Sequence, residues 1–262
     1  MTIKNLIAGV AFLACANIAW SQTWRMDAQI DGFHGGIKSS DQIMYEAVVN
    51  NDQMQRGGVL ERLKTEYNAK GYRRSMEFLD TQGKVLFRSR YKHDGFGLTT
   101  LEHVVSPDEQ VIGRTYYLYD ANNILKEWYV EDAERQVENR VLIHYDKQGR
   151  VDKRSYNDQF NNIFKREHYT YGADGNISTS VVYDCSGNKV QEWRWEYDEH
   201  NMPVSQTLYD YSENPQEPEM SFTVWKYRYD SNGNWIQKTE YTMENFNMTP
   251  VCITERHLEY FQ

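Results

Sequence analysis

The stretch IHYDKQGRV, residues 143–151, decides the fold, because it returns as WEYDEHNMPV at 195–204 and as YRYDSNGNWI at 227–236. The dipeptide Tyr-Asp, or a variant of it, starts at positions 67, 93, 119, 145, 171 and 197, a spacing of 26 residues, and once more at 229. A second series of turn-like dipeptides falls between these positions. A period of this length predicts a repeat architecture in which one supersecondary unit recurs along the chain.

Each repeat contains the chemistry of a tight turn. In DKQG (146–149) the Asp side chain can accept a hydrogen bond from the backbone two residues on, and Gly suits the left-handed conformation of the fourth place. Asn replaces Gly at 123, 161, 201 and 247, whereas PDEQ (107–110), DAER (132–135) and DYSE (210–213) have neither residue there. The residues expected to build the repeat are Tyr119, Asp120, Tyr145, Asp146, Gly149, Tyr171, Gly175, Asp184, Gly187, Asp198, Asp230 and Gly233.

Segments of strand composition, rich in Tyr, Trp, Val, Ile and Thr, connect the turns. They predict an all-β antiparallel meander of about 14–16 strands, built from 26-residue hairpin repeats and curled or spiralling so that one face is buried. The residue five places after each Asp should lie opposite the Tyr, as Val151 does for Tyr145 and Trp235 for Tyr229. One face then carries an aromatic and aliphatic ladder, into which Arg73 and Pro203 do not fit.

The first 21 residues predict the location of the protein. Residues 1–21 combine an early cation, Lys4, with an apolar run and small residues before Gln22, which is typical of a cleaved signal peptide. Lipidation at Cys15 is an alternative. We therefore expect a protein of the periplasm or cell surface, with a lead-in of one or more strands at 22–57, a repeat domain at 58–262 and no transmembrane helix in the mature chain.

Charge and motif content exclude several functions. The net charge is −9 and no Lys/Arg cluster stands out, so nucleic acid is not an expected partner. No pattern of a catalytic, metal-binding or cofactor-binding motif occurs, and we expect no catalytic residues, no metal and no cofactor. His144 and His168 lie in adjacent repeats and are a candidate pair of metal ligands. Cys185 and Cys252 could pair in an oxidising compartment, and the sequence leaves this open.

The runs YYLYDANNILKE (116–127) and HYTYGADGNIST (168–179) resemble YD repeats, the units of the RHS family of bacterial surface and secreted proteins. The resemblance is strong from about residue 114 to 242 and degenerate from 58 to 113. It implies a spiralling β-sheet, and an association of some repeats with carbohydrate binding. Because the chain is short and has no core-repeat cleavage motif, we expect a small standalone module without enclosed cargo.

Three functions remain open for such a module. The first is a non-enzymatic structural or interaction module with a protein or glycan partner at the cell envelope. The second is glycan binding, if the C-terminal part of the ladder stays open; the candidate residues are Trp193, Trp195, Trp225, Trp235, Tyr197, Tyr227 and Tyr229. The third is a glycan hydrolase, which needs a carboxylate pair in a cleft. An acidic loop at 211–221 is a further candidate for function.

Overall fold

The computed structural model describes residues 27–244 and 247–262, and within them contains one short helix and sixteen strands. The helix α1 is Asp27–Ile30. The strands are β1 (Ile37–Asn50), β2 (Gln53–Tyr67), β3 (Arg73–Leu79), β4 (Val85–His93), β5 (Thr99–Val105), β6 (Val111–Tyr119), β7 (Leu125–Asp132), β8 (Val137–Tyr145), β9 (Val151–Asp158), β10 (Ile163–Tyr171), β11 (Ile177–Asp184), β12 (Lys189–Tyr197), β13 (Pro203–Asp210), β14 (Glu219–Tyr229), β15 (Trp235–Glu244) and β16 (Asn247–Tyr260). The leader predicted at 1–21 lies outside the described residues.

The sheet closes on itself. Every strand pairs antiparallel with the next one along the chain, and β1 also pairs with β16, from Ile37 opposite Tyr260 to Glu46 opposite Cys252. The predicted all-β meander is therefore confirmed, and its curl is a closed barrel. Among the sixteen described strands, closure leaves no unpaired edge. β1 and the start of β2, which belong to the predicted lead-in 22–57, are part of the same barrel.

The turns have the predicted backbone. Gly149 has a φ of 79° and Asn123 one of 63°, so both occupy the left-handed region at the fourth place of their turns. Asp146 Oδ1 accepts the backbone N–H of Gln148 and of Arg150, each at 2.9 Å. Asn247, expected in a turn, is instead the first residue of β16.

Two turns without Gly or Asn adopt the same conformation, with φ of 67° at Glu109 and 65° at Arg135. The first of them spans residues 106–109, one place earlier than the predicted PDEQ. A left-handed φ costs a residue with a Cβ about 1–2 kcal/mol, and part of this is offset because glycine loses more entropy on folding. We expect Arg135→Gly to raise the free energy of unfolding by about 0.5–1 kcal/mol in urea denaturation. Gly149→Ala should lower it by a similar amount. Equal stability of the wild type and Arg135→Gly would contradict this assignment of strain.

The tyrosine of the repeated phrase has a second function. Its hydroxyl donates to a backbone carbonyl twenty residues earlier, at the start of a strand in the preceding repeat. The bonds are 2.9 Å from Tyr119 to Thr99, 2.5 Å from Tyr145 to Leu125 and 2.7 Å from Tyr171 to Val151. Burial raises the pKa of both Tyr145 and Tyr171 to about 12. Within the phrase, Asp closes its own turn and Tyr binds that turn to the previous hairpin.

The ladder faces the inside of the barrel. Val151 lies opposite Tyr145 and Trp235 lies opposite Tyr229, as the turn geometry predicts. Along β6–β9 the ladder forms a buried core, whose members are Tyr117, Leu125, Trp128, Val130, Val141, Ile143, Val151 and Tyr156. A second cluster of Phe78, Phe87 and Val104 fills the interior at β3–β5.

The outer face of the wall is charged. Cross-strand ion pairs join Arg88 to Glu77 at 2.6 Å and Arg140 to Glu127 at 2.9 Å. Their side chains alternate with the inward-facing ladder along each strand, since neighbouring strand residues point to opposite faces. The outer face therefore carries paired charges, and between them lie exposed apolar side chains such as Leu86 and Leu118.

One opening of the barrel is crossed by residues 27–36, here called the N-terminal strap. Asp31 forms an ion pair with Arg73 and accepts a hydrogen bond from the Tyr67 hydroxyl. Phe33 is buried and packs edge-on against Tyr67, with ring centroids 5.8 Å apart. Farther along, the backbone N–H of His34 donates to Asn234 Oδ1 at 2.7 Å. The strap thus binds both sides of the rim that the Tyr-Asp turns form.

Candidate functional site

The barrel encloses a cavity of about 1460 Å³ along its C-terminal strands. Its lining includes side chains of β9–β16 and, at the rim, the N-terminal strap and the turns around Ala69, Asn176 and Met202. Sixteen strands make a barrel too wide for side chains to fill completely. A cavity with this many polar groups holds water or a ligand.

Five of the seven aromatic residues proposed as a binding strip line this cavity: Trp193, Trp195, Trp235, Tyr197 and Tyr227. Trp225 and Tyr229 are not part of the lining. Both make other contacts, since Trp225 Nε1 donates to Glu240 at 2.8 Å and the Tyr229 hydroxyl donates to Asp198 at 2.6 Å.

Two indoles form the most regular part of the lining. Trp193 and Trp195 lie on the same face of β12 with nearly parallel rings, 9° apart in orientation and 6.3 Å apart between centroids. Trp195 Nε1 donates to Gln206 Oε1 at 2.9 Å, which fixes that ring. The pair presents flat apolar surface with a polar group beside it, the combination that ligand pockets use.

Charged side chains interrupt the ladder. Arg154, Lys165, Glu167, Lys238 and Arg256 all line the cavity, and sequence reasoning did not select them. A signal was present, because strand residues two apart share a face and Lys165 and Glu167 precede Tyr169 at alternate positions. These cations do not form a basic cluster in the sequence, because they are far apart along the chain.

One part of this charge lies on β9 and β10. Arg154 is opposite Glu167 in the ladder, and Glu167 accepts a hydrogen bond of 2.6 Å from the Tyr156 hydroxyl. The ammonium group of Lys165 lies 3.8 Å from the centroid of the Tyr156 ring, a cation–π contact. Burial lowers the pKa of Lys165.

The other part lies on β15 and β16. The Arg256 guanidinium stacks on Trp235, with its central carbon 3.4 Å from the ring centroid, and its Nε donates to Gln42 at 3.1 Å. Lys238 lies 5.8 Å from the same Trp235 ring. Trp235 therefore holds two cations next to the cavity.

The histidine pair considered as a metal site lies on the outer face. His144 and His168 flank Lys153 in the ladder register, and burial, together with the positive charge of Lys153, lowers the pKa of both imidazoles. Across residues 27–244 and 247–262 there is no cluster of three or more His, Cys, Asp or Glu side chains that could hold a metal ion.

The two cysteines that could have paired do not form a disulfide. Cys185 is exposed in a turn and Cys252 is buried in β16, and both thiols are free.

The acidic loop lies apart from the cavity. β13 ends at Asp210 and β14 begins at Glu219, so the connection covers residues 211–218, most of which are exposed. None of these residues lines the cavity.

In the part of the chain that the structure describes, no helix has the length and apolarity needed to cross a membrane.

No family model and no curated protein matches the chain. Among solved structures, the chain resembles a porin-like protein from Bacteroides uniformis with a TM-score of 0.55 and 7% identity, over 87% of this chain and 98% of that one. At this identity the likeness shows the fold alone.

Two further solved structures resemble the chain more weakly. A TcdB2-TccC3-TEV structure has a TM-score of 0.34 and 12% identity, over 83% of this chain and 13% of that chain. A DUF1329 family protein from Desulfovibrio piger has a TM-score of 0.24 and 9% identity, over 86% of both chains.

Proposed function

We propose that the protein is a secreted, envelope-associated, non-enzymatic binding module that holds a glycan inside its barrel. The observation that carries this proposal is the parallel indole pair, Trp193 and Trp195, on the wall of a cavity of about 1460 Å³. A cavity of this size exceeds the usual 300–1,000 Å³ of a small-molecule pocket. It is suited to a ligand of several rings, and the flat indoles can stack on sugar rings.

Membership of the YD-repeat group belongs to the same proposal. Its support is that each element of the Tyr-Asp phrase has a structural reason: Asp146 accepts from its own turn, Gly149 is left-handed and Tyr145 bonds to the preceding repeat. The same geometry recurs around the barrel. The association of YD repeats with carbohydrate then agrees with the aromatic lining.

The carboxylates of the cavity favour binding over hydrolysis. A glycosidase flanks the scissile bond with two carboxyl groups about 5–9.5 Å apart. Among the described residues that line the cavity, the carboxylates are Asp31 and Glu167. Asp31 is paired with Arg73, and Glu167 accepts from Tyr156. Both therefore already have structural partners.

The charges of the outer face favour a barrel whose outer wall is exposed to water and not to lipid. A lipid-facing wall carries an apolar band, and Arg or Lys at its centre costs about 2–4 kcal/mol. The wall of this barrel instead carries Arg88 paired with Glu77 and Arg140 paired with Glu127. The predicted leader at 1–21 would bring such a module to the periplasm or cell surface.

Binding to a glycan array tests the proposal, with residues 22–262 as the protein. We expect Trp193→Ala and Trp195→Ala to weaken binding at least roughly tenfold, the factor that corresponds to about 1.4 kcal/mol. The matched control is Trp225→Ala, because Trp225 lies on β14 outside the cavity lining. Circular dichroism establishes that each variant is folded. A blank array, or equal losses in all three folded variants, would refute the proposal.

A further inference from the structure

We infer that the saccharide bound in the barrel carries an acidic group on its ring, a carboxylate or a sulfate, which Lys238 and Arg256 bind. This inference rests on the proposed function and specifies its ligand class. The observation behind it is that cations are concentrated in the cavity of a protein whose net charge is −9.

The cavity wall has more positive than negative side chains. Among the described lining residues, the strands contribute Arg154, Lys165, Lys238 and Arg256 as cations and Glu167 as the carboxylate. Burying unbalanced charge of one sign is costly unless a partner compensates it. An anionic ligand in the cavity supplies that compensation.

Lys238 has few partners in the cavity wall. Among the described residues, its ammonium group has neither an ion pair nor a hydrogen bond, and its contact with an aromatic ring is the one with Trp235, at 5.8 Å. Two carboxylates attract it, those of Glu240, two residues on, and of Glu61 on β2, and Glu240 also accepts from the Trp225 indole. Burial lowers the pKa of Lys238 despite that attraction. Its three N–H donors are available to a ligand.

Arg256 supplies a second donor beside it. Lys238 is opposite Thr254 in the β15–β16 ladder, and Arg256 is two residues farther on the same face. Its buried Nη1 has no hydrogen-bond partner among the described residues, although Nε is bonded to Gln42. Burial lowers the pKa of Arg256 to about 10, although Asp31 attracts it. A guanidinium of fixed orientation next to an ammonium group forms a suitable site for a carboxylate or sulfate.

Aromatic rings position the rest of such a ligand. Trp235 stacks under Arg256, and Tyr227 is opposite Lys238 in the β14–β15 ladder. Both rings line the same cavity as Trp193 and Trp195. The acidic group would thus bind at the β15–β16 wall while neighbouring sugar rings lie against indole surfaces.

Matched acidic and neutral probes test the inference on residues 22–262. The probes are oligogalacturonides with their methyl esters, and sulfated galactan oligosaccharides, which contain no carboxylate, with their desulfated forms. We expect an acidic probe to bind roughly tenfold or more tightly than its neutral or desulfated counterpart in calorimetric titration, a factor that corresponds to about 1.4 kcal/mol. The carboxylate and sulfate arms identify which acid the site takes.

Lys238→Met should abolish the preference for the acidic probe, weakening binding of that probe at least roughly tenfold and binding of the methyl ester much less. The control is Lys226→Met, which removes the same charge from the exposed outer face, one position away in the same ladder. Equal binding of acidic and neutral probes, with binding still dependent on Trp193, would overturn this inference and leave the proposed function standing. Absence of binding to every probe and every glycan of the array would overturn both.

Discussion

Trp128→Ala is expected to lower the free energy of unfolding by about 3–5 kcal/mol, the usual cost of deleting a buried tryptophan side chain. Trp128 is only 4% exposed and lies between Tyr117 and Val141 in the ladder. Its indole meets the Tyr156 ring edge-on, with centroids 6.5 Å apart.

Urea denaturation of the variant measures this loss, and Phe160→Ala is its control. Phe160 is 74% exposed in the turn between β9 and β10, so its truncation should change stability by no more than about 0.5 kcal/mol. Similar stabilities for Trp128→Ala and the wild type would mean that the ladder along β6–β9 is not a packed core.

Asp31→Asn is expected to cost about 3 kcal/mol, because it leaves the buried Arg73 guanidinium without its countercharge. The same change weakens the attachment of the N-terminal strap to the rim. Urea denaturation gives the loss of stability, and hydrogen exchange of residues 27–36 shows whether the strap opens first.

A double substitution separates the pair from the strap as a whole. Asp31→Asn combined with Arg73→Met should cost less than the sum of the two single changes, since the unpaired charge is then absent. The control is Glu259→Gln, which breaks an ion pair with Lys38 at 3.2 Å on the exposed surface and should cost less than about 1 kcal/mol. Strictly additive losses for Asp31 and Arg73 would show that the ion pair contributes nothing.

Local rules explain what could be predicted from the sequence. Turn chemistry at Asp146 and Gly149, together with the two-residue period of strands, predicts that Val151 lies opposite Tyr145, and the structure confirms it. The same rules identified Arg73 as an exception in the ladder. Local rules do not explain why an arginine occupies this position, because its partner Asp31 lies in the strap, 42 residues earlier.

Closure and the cavity could not be predicted in this way. Pairing of β1 with β16 joins Ile37 to Tyr260, and no short-range pattern encodes that contact. The aromatic residues of β12 were selected correctly as a group, but only the closed barrel distinguishes Trp195, on the cavity wall, from Trp225, bonded to Glu240. The cations of the wall become a cluster only when β9, β10, β15 and β16 surround one space.

The most direct test of the central claim is a crystal structure of residues 22–262 with an array-positive oligosaccharide bound. We expect sugar inside the barrel, stacked on Trp193 and Trp195. Sugar bound only on the charged outer face, or on the loop at 211–218, would contradict it.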